Sequence, residues 1–162
     1  MSSKTFDTLS FRKALGNFAT GVTIITARAE DGSLAGVTAN SFSSVSLEPP
    51  LVLWSLDRSS PSLATMEKAS HFCVNVLSEY QEDLCMRFAK SGDDKFIGID
   101  YGEALGGAPS FEGCLALFEC RNVIRHDGGD HVIIVGEVER YTVHEGKPLI
   151  FFRGRIGDLA SK

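Results

Sequence analysis

The stretch GVTANSFSSVSLEPPLVLWSL, residues 36–56, begins with the pattern of a strand and continues through small polar residues. It stops at Pro49 and Pro50 and restarts as the apolar run 51–56. Short Thr, Ser and Asn side chains supply neutral donors and acceptors, and their small size lets a ligand approach the backbone N–H groups. This composition favours a flat, neutral ring edged with heteroatoms over a metal or a polyanion. An ordinary strand–loop–strand corner is the alternative interpretation.

The length and the charge of the whole chain limit the class of protein that it can be. A chain of 162 residues predicts a single domain, residues 1–162. Lys and Arg number 16 against 21 Asp and Glu, and because no basic cluster occurs, nucleic acid is not an expected partner. No apolar run approaches the roughly 20 residues of a membrane span. Residues 1–11 lack the apolar core of a signal peptide, so a cytoplasmic protein without a membrane partner is expected.

The cysteines and histidines do not form a recognisable disulfide or metal pattern. No CxxC pair occurs, and each cysteine has apolar neighbours, which predicts free buried thiols, the last two on one strand. The spacing of the four histidines does not match a zinc site. The cysteines concerned are Cys73, Cys85, Cys114 and Cys120.

Hydrophobic periodicity predicts about seven strands and two or three short helices. A first helix is expected over 7–19, capped by Asp7 or Thr8, and a hairpin over 22–39 turns at Gly32. Residues 51–56 are apolar at nearly every position and predict a strand buried on both faces. Short connections favour an antiparallel barrel, and no GxGxxG follows a strand. The remaining strands are expected at 72–77, 115–125, 131–143 and 149–153.

The second helix is expected to run to about residue 68, with Ser60 as its N-cap and Pro61 at its first position. Free N–H groups, two serine hydroxyls and the nearby Arg58 would together suit a phosphate. A capped helix with a solvated Arg58 that binds nothing is the alternative.

A third helix is expected after residues 78–81, which have the form of a capping box. Phe88 lies on its apolar face and is by default a core residue. The Gly-rich segment 91–113 that follows has few apolar anchors, and long irregular segments in compact domains are often functional. It is interpreted either as a mobile flap over the active site or a neighbouring subunit, or as a structural wrap.

Six motifs in order along the chain resemble the short-chain flavin reductase family. They are GVT at 21–23, TANSFSSVSLEPPLVL at 38–53, FCVNVL at 72–77, FA at 88–89, GDH at 129–131 and PLIFFRGR at 148–155. The resemblance runs from about Phe11 to Arg155. It implies a mainly β fold, an antiparallel Greek-key split β-barrel of the FMN-binding type with two or three short helices. It also implies a homodimer.

The resemblance implies an NAD(P)H:flavin oxidoreductase that reduces FMN or FAD with NADH or NADPH and supplies reduced flavin to a partner monooxygenase. The sequence shows no Ser-His-Asp set, paired carboxylates or metal cluster, so no catalytic residue is predicted and the cofactor would supply the chemistry. Residues implied to bind the flavin are Thr38, Ala39, Asn40, Ser41, Phe42, Ser44, Val45, Ser55, Leu56, Asp57, Ser60, Ser62, Phe88 and Ala89.

His131, in the GDH motif, is implied to meet the nicotinamide. A turn histidine bonded to Asp130 is the alternative. Arg153 and Arg155 are expected to meet the nucleotide phosphates or the flavin tail, or to be a solvated strand end. Ile156 departs from the resemblance, because many family members carry an aromatic residue there.

Two other functions are compatible with the same sequence. One is a non-catalytic flavin-binding protein that senses redox state or carries flavin. The other is a split-barrel oxidoreductase whose tightly held FMN reduces a non-flavin substrate such as a corrinoid. The resemblance leaves open the choice between FMN and FAD and between NADH and NADPH.

Overall fold

The computed structural model describes residues 6–92, 94–157 and 159. The predicted domain 1–162 and the segment 91–113 therefore include positions outside the described residues. The elements are α1 Thr8–Leu15, β1 Thr20–Gly21, β2 Thr23–Arg28, β3 Leu34–Ala39, β4 Ser43–Leu47, β5 Pro50–Asp57, α2 Leu63–Lys68, β6 His71–Val76, α3 Glu82–Ala89, β7 Gly102–Glu103, a 3-10 segment Leu105–Gly107, β8 Pro109–Ser110, β9 Ala116–Gly128, β10 His131–Val143, β11 Ile150–Phe152 and β12 Arg155–Gly157.

A seven-stranded sheet in the order β3-β2-β6-β9-β10-β5-β4 forms the body of the protein, with every pairing antiparallel. Its two outermost strands, β3 and β4, are joined by residues 40–42 alone. The four Cα steps of this link span at most about 15 Å. Six strand spacings across a flat sheet would need about 29 Å. The sheet must therefore curl until its edges approach each other, which is the geometry of a split barrel, as predicted.

Strand β5 alternates between the inside and the outside of this curled sheet. Val52, Trp54 and Leu56 are buried, whereas the residues between them are partly exposed. The prediction of a strand buried on both faces was wrong, because one face of a barrel wall points outward even where its residues are apolar. Trp54 meets the ring of Phe72 edge-on at 5.9 Å in the interior.

The helices are shorter than predicted. Asp7 is the N-cap of α1 and accepts from the N–H of Leu9 and of Ser10. The helix ends at Leu15 instead of residue 19, and the amide of Asn17 donates to the carbonyls of its last turn.

The second helix also begins later than expected. Helix α2 starts at Leu63, because Ser60 Oγ accepts from the N–H of Ser62 in a turn before the helix. The predicted N-cap role of Ser60 and first-turn role of Pro61 were therefore wrong. The capping box at residues 78–81 is half formed. Gln81 Oε1 accepts from the N–H of Ser78, and α3 begins at the next residue.

The segment 91–113 packs onto the barrel as a wrap. Phe96 and Phe111 meet the ring of Phe88 at 4.9 and 5.3 Å between centroids. The N–H of Phe111 donates to the buried side chain of Asn75 at 2.9 Å. These contacts extend the core over one end of the sheet, and the predicted flap is not the arrangement seen in the described part of this segment.

All four cysteines are buried and free, as predicted. Cys114 precedes β9, so it does not share a strand with Cys120 as expected. Burial raises the pKa of Cys114 to about 11 and that of Cys120 to about 12, which keeps both thiols protonated at neutral pH. Within the described ranges, no helix has the length and apolar character needed to span a membrane.

A substitution at Gly36 tests the packing of β3 against α3. An added Cβ would stand 2.5 Å from Phe88 Cε1 and 2.9 Å from Phe96 Cζ. Overpacking of this kind lowers stability, so Gly36→Ala should reduce the free energy of unfolding by about 1–3 kcal/mol in urea denaturation. Gly21→Ala is the matched control, because its Cβ would meet no heavy atom within 4 Å. Equal stabilities of the two variants would contradict this packing.

Candidate functional site

A cavity of about 410 Å³ opens beside the link between β3 and β4, and we call it the central cavity. Its walls come from the end of β3 and the link, the end of β5 with the loop after it, the end of α3, and the start of β10. The lining residues are Val37, Thr38, Ala39, Asn40, Ser41, Ser55, Leu56, Asp57, Ser59, Ser60, Pro61, Phe88, Ala89, Lys90, Ser91, Lys95 and His131.

The central cavity brings together most residues named from the sequence. Thr38, Ala39, Asn40, Ser41, Ser55, Leu56, Asp57, Ser60, Phe88, Ala89 and His131 line it. Phe42, Ser44, Val45, Ser62 and Arg153 do not. Phe88 is both a core residue and a wall residue, because its buried ring packs beneath β3 while the cavity lies beside it.

The four predicted flavin-binding residues outside the central cavity occupy three other places. Phe42 stacks on Phe118 with 5.9 Å between ring centroids. Ser44 lies on the edge strand β4, and Val45 is bulged out of the β4–β5 ladder and half-exposed. Ser62 lines a neighbouring cavity. Flavin binding by these residues stays a prediction.

Among the hydrogen bonds of the described residues, none has a backbone N–H of the link 40–42 as its donor. The β3 ladder ends at the pair of Ala39 with Thr23, and the β4 ladder begins at the pair of Ser43 with Leu53. Asn40, Ser41 and Phe42 take part in neither ladder, so their N–H groups lie outside the sheet hydrogen bonds. Backbone donors of this kind need another partner, such as water or a ligand.

Two hydroxyls that were expected to face a ligand instead build the walls. Ser41 Oγ accepts from the N–H of Ser55 at 3.0 Å and donates to its carbonyl at 3.1 Å, which ties the link to β5. Thr38 Oγ1 donates to the carbonyl of Cys85 at 2.6 Å and ties β3 to α3. These two hydroxyls are therefore committed to the walls, and the backbone N–H groups of the link stay outside the sheet ladders.

The loop after β5 is organised by a carboxylate. Asp57 Oδ1 accepts from both the N–H and the hydroxyl of Ser59, each at 2.7 Å. Hydrogen bonding from the Ser59 side chain, and then from its backbone, lowers the pKa of Asp57. Asp57 therefore stays ionised and fixes the shape of the loop, so its proposed contact with a phosphate is indirect.

Arg58 is not at the cavity, contrary to the prediction. Its Nε donates to the carbonyl of Gly129 at 3.1 Å, and its guanidinium pairs with Asp127. Arg58 thus ties the loop after β5 to the turn between β9 and β10. Neither partner is a lining residue of the central cavity.

Lys95 is one of two lysines in the lining, with Lys90, that sequence reasoning missed. Its Nζ donates to the carbonyl of Gly36 at 3.0 Å and to that of Phe88 at 3.2 Å. Burial lowers the pKa of this half-buried ammonium, and an anion placed beside it would offset that shift. An ammonium has three donors, so one remains beyond the two carbonyls. The other unpredicted lining residues are Val37, Ser59, Pro61, Lys90 and Ser91.

His131 combines both interpretations of its role. It lines the central cavity at the start of β10, opposite Asp57 in the β5 ladder. Its Nδ1 lies 2.7 Å from Asp130 Oδ1, which orients the ring. The histidine is therefore a turn residue held by Asp130 that also faces the cavity.

A larger cavity of about 820 Å³, which we call the helix cavity, meets the central cavity at Asn40. Arg12, Lys13 and Arg153 line it together with residues of the α1–β1 connection. Arg153 Nε donates to Asn17 Oδ1 at 2.9 Å. Arg153 is thus separated from the central cavity, although the two cavities share a wall.

Ile156, which stands where many family members carry an aromatic residue, has a packing role in the structure. Ile156 lies on β12 and packs, partly buried, against the second core cluster. An aliphatic side chain at this position extends the core. Arg155 is exposed on the same strand.

Comparison with known proteins identifies the family. Residues 15–160 match the model of the flavin reductase like domain. FMN reductase (NADH) SmoA of Agrobacterium fabrum is 49% identical over 148 residues, which cover 91% of this chain and 84% of that protein. The reductase subunit HsaB of a flavin-dependent monooxygenase from Rhodococcus jostii is 44% identical over 156 residues, or 96% of this chain and 80% of that protein.

Solved structures agree with this assignment. The NADH:FAD oxidoreductase SgcE6 of Streptomyces globisporus superposes with a TM-score of 0.91 at 34% identity, covering 96% of this chain and 95% of that one. The same oxidoreductase in complex with NAD and FAD fragments gives a TM-score of 0.89 at 35% identity, covering 95% and 93%. The chain belongs to the flavin reductase like family, and the predicted fold class is confirmed.

The residues of the central cavity fit a flavin. Its volume of about 410 Å³ lies within the range of ligand pockets, about 300–1,000 Å³. Unpaired backbone donors at the link suit the heteroatom edge of the ring. Lys95, with the hydroxyls of Ser60 and Ser91 among the lining residues, suits the phosphate of the tail.

Proposed function

We propose that this chain is an NAD(P)H:flavin oxidoreductase that transfers a hydride from NADH or NADPH to FMN or FAD. One observation carries the proposal. A single cavity is lined by Asn40 and Ser41, whose backbone N–H groups lie outside the sheet ladders, and by Lys95 with its ammonium. A flavin has the same division, with a neutral ring system and an anionic tail.

Each part of the cavity has a distinct task in this proposal. When bound, the flavin supplies the hydride-accepting chemistry, so the chain needs no acid–base residue of its own. The N–H groups of Asn40 and Ser41 are proposed to donate to the ring edge where negative charge develops on reduction. Lys95 and the neighbouring serines hold the phosphate, and Asp57 keeps the serine loop in shape.

The nicotinamide nucleotide is proposed to approach from the helix cavity. Asn40 borders both cavities, so a ring placed against the flavin near Asn40 leaves the rest of the dinucleotide next to Arg12, Lys13 and Arg153. These cations suit its phosphates. His131 is proposed to contact the nicotinamide.

The chain is also proposed to act as a homodimer that supplies reduced flavin to a monooxygenase in the cytoplasm. Helix α1 has no buried residue, and an exposed apolar surface surrounds it. Such an apolar surface is typical of an interface, and a second copy of the chain is the proposed cover. The exposed residues are Phe6, Leu9, Leu15 and Phe18, at 68%, 61%, 58% and 78%.

The activity is tested by steady-state oxidation of NADH and of NADPH with added FMN, FAD or riboflavin. The proposal predicts nucleotide oxidation that depends on added flavin and flavin that separates from the protein on gel filtration. A yellow protein that consumes no nucleotide would instead be a flavin carrier or sensor. FMN that stays bound and turns over only with another acceptor would point to the non-flavin oxidoreductase.

His131 is tested by its effect on the two substrates. His131→Ala removes a polar contact worth about 1–3 kcal/mol, so KM for the nicotinamide nucleotide should rise about 5- to 150-fold, with a much smaller change in the flavin KM. His144→Ala removes an exposed turn histidine elsewhere and is the control. Equal increases in both KM values would contradict the proposed role.

Lys95 is tested by comparing flavins with and without a phosphate. Lys95→Met should raise the Kd of FMN about 10- to 100-fold, because a charge-assisted hydrogen bond is lost. Riboflavin, which has no phosphate, should bind with its affinity little changed. Lys68→Met removes an exposed cation of α2 outside the three cavities and should leave both affinities unaltered. Equal weakening of FMN and riboflavin would show that Lys95 does not contact the phosphate.

A further inference from the structure

Arg58 joins two segments that have different tasks in the proposed reaction. The loop after β5, residues 57–61, lines the central cavity with every residue except Arg58 itself. The segment 127–130 leads directly into His131, the residue proposed to contact the nicotinamide. Asp57 and His131 are partners in the β5–β10 ladder, so both segments continue from the same end of that strand pair.

Three contacts of Arg58 hold the segment 127–130. Its backbone N–H donates to the carbonyl of Asp130 at 2.9 Å, and its Nε donates to the carbonyl of Gly129 at 3.1 Å. The guanidinium also pairs with the carboxylate of Asp127. Because a planar guanidinium holds two acceptors in fixed directions, these contacts define both the distance and the orientation of the turn.

The contacts of Arg58 reach His131 through one further residue. Asp130, whose carbonyl accepts from the N–H of Arg58, also has its Oδ1 2.7 Å from Nδ1 of His131. A ring held at Nδ1 has a fixed orientation, which leaves Nε2 as the nitrogen available to a ligand. A shift of the Asp130 backbone would therefore move the ring of His131 relative to the central cavity.

The stability of the whole protein gives little reason for this arrangement. The Asp127 side chain is 95% exposed and the Arg58 side chain 43%, and ion pairs as exposed as this one add little to the free energy of unfolding. Gly128 and Gly129 lie inside the segment, where glycine restricts the backbone least, and Gly129 has a φ of 73°. Arg58 thus restricts a turn whose own sequence leaves it free to move.

We propose that Arg58 is a positioning residue for the nicotinamide nucleotide and acts through Asp130 and His131. It keeps His131 at a fixed place relative to the loop that borders the flavin, so the nicotinamide ring is held in the orientation that hydride transfer requires. Arg58 lines none of the three cavities, so it touches neither substrate itself. The inference rests on the proposed function, which assigns the nicotinamide contact to His131.

A double-mutant cycle with His131 tests whether Arg58 acts through that residue. Arg58→Ala should raise KM for the nicotinamide nucleotide about 3- to 10-fold, as expected for residues coupled in one hydrogen-bond network. In the His131→Ala background the same change should alter this KM by less than about twofold, because the positioned residue is gone. Asp127→Asn weakens the same contact from the turn and should raise the KM in the same direction. The Kd of FMN, from calorimetric titrations of the full chain, should stay unchanged.

Arg125→Ala is the matched control, because Arg125 is also exposed, bonds the carbonyl of Glu67 in another segment and lines none of the three cavities. It should leave the nucleotide KM and the FMN Kd unchanged, and urea denaturation verifies that each variant is folded. The inference is wrong if Arg58→Ala raises the nucleotide KM by the same factor with and without His131, if neither Arg58→Ala nor Asp127→Asn changes it, or if FMN binding weakens equally. Failure of the proposed function looks different, since the wild-type chain would then oxidise no nucleotide with any flavin, and that result would overturn this inference as well.

Discussion

The three-residue link between the outermost strands of the sheet is the constraint on which the structure depends. A link of at most about 15 Å cannot cross a flat sheet of seven strands, so the sheet curls and its edges meet near residues 40–42. The link residues take part in neither strand ladder, so their N–H groups lie outside the sheet hydrogen bonds. The curl of the sheet and the donors available to a ligand thus have one origin.

The arrangement of charge around the central cavity follows from this constraint and from one long-range contact. Neutral backbone donors lie at the link, where a buried cation is absent among the described lining residues. Lys95 reaches the opposite side through carbonyls of β3 and α3. A ligand with a neutral ring and an anionic tail is therefore oriented by the cavity itself, with the ring towards Asn40 and the phosphate towards Lys95.

Local features of the structure could be predicted from the sequence. The hairpin of β2 and β3 was predicted because Gly32, which has a φ of 84°, marks its turn. Residues 38–41 and 55–57 were all named as flavin-binding from the resemblance, and they line one cavity because Ser41 Oγ ties the link to β5. Lys95 was missed, since its contact with Gly36 joins positions 59 residues apart and follows no periodicity. Its neighbour Phe96, an aromatic anchor in a Gly-rich segment, was the available signal.

Hydrogen–deuterium exchange with and without FMN tests the central claim most directly. The account predicts that FMN slows exchange in peptides covering residues 38–43 and 57–61, because the link donors and the serine loop bind the flavin. Peptides covering 141–147, at the end of β10 and just after it, should exchange at the same rate in both states. FMN binding that protects other peptides and leaves 38–43 unchanged would contradict the account.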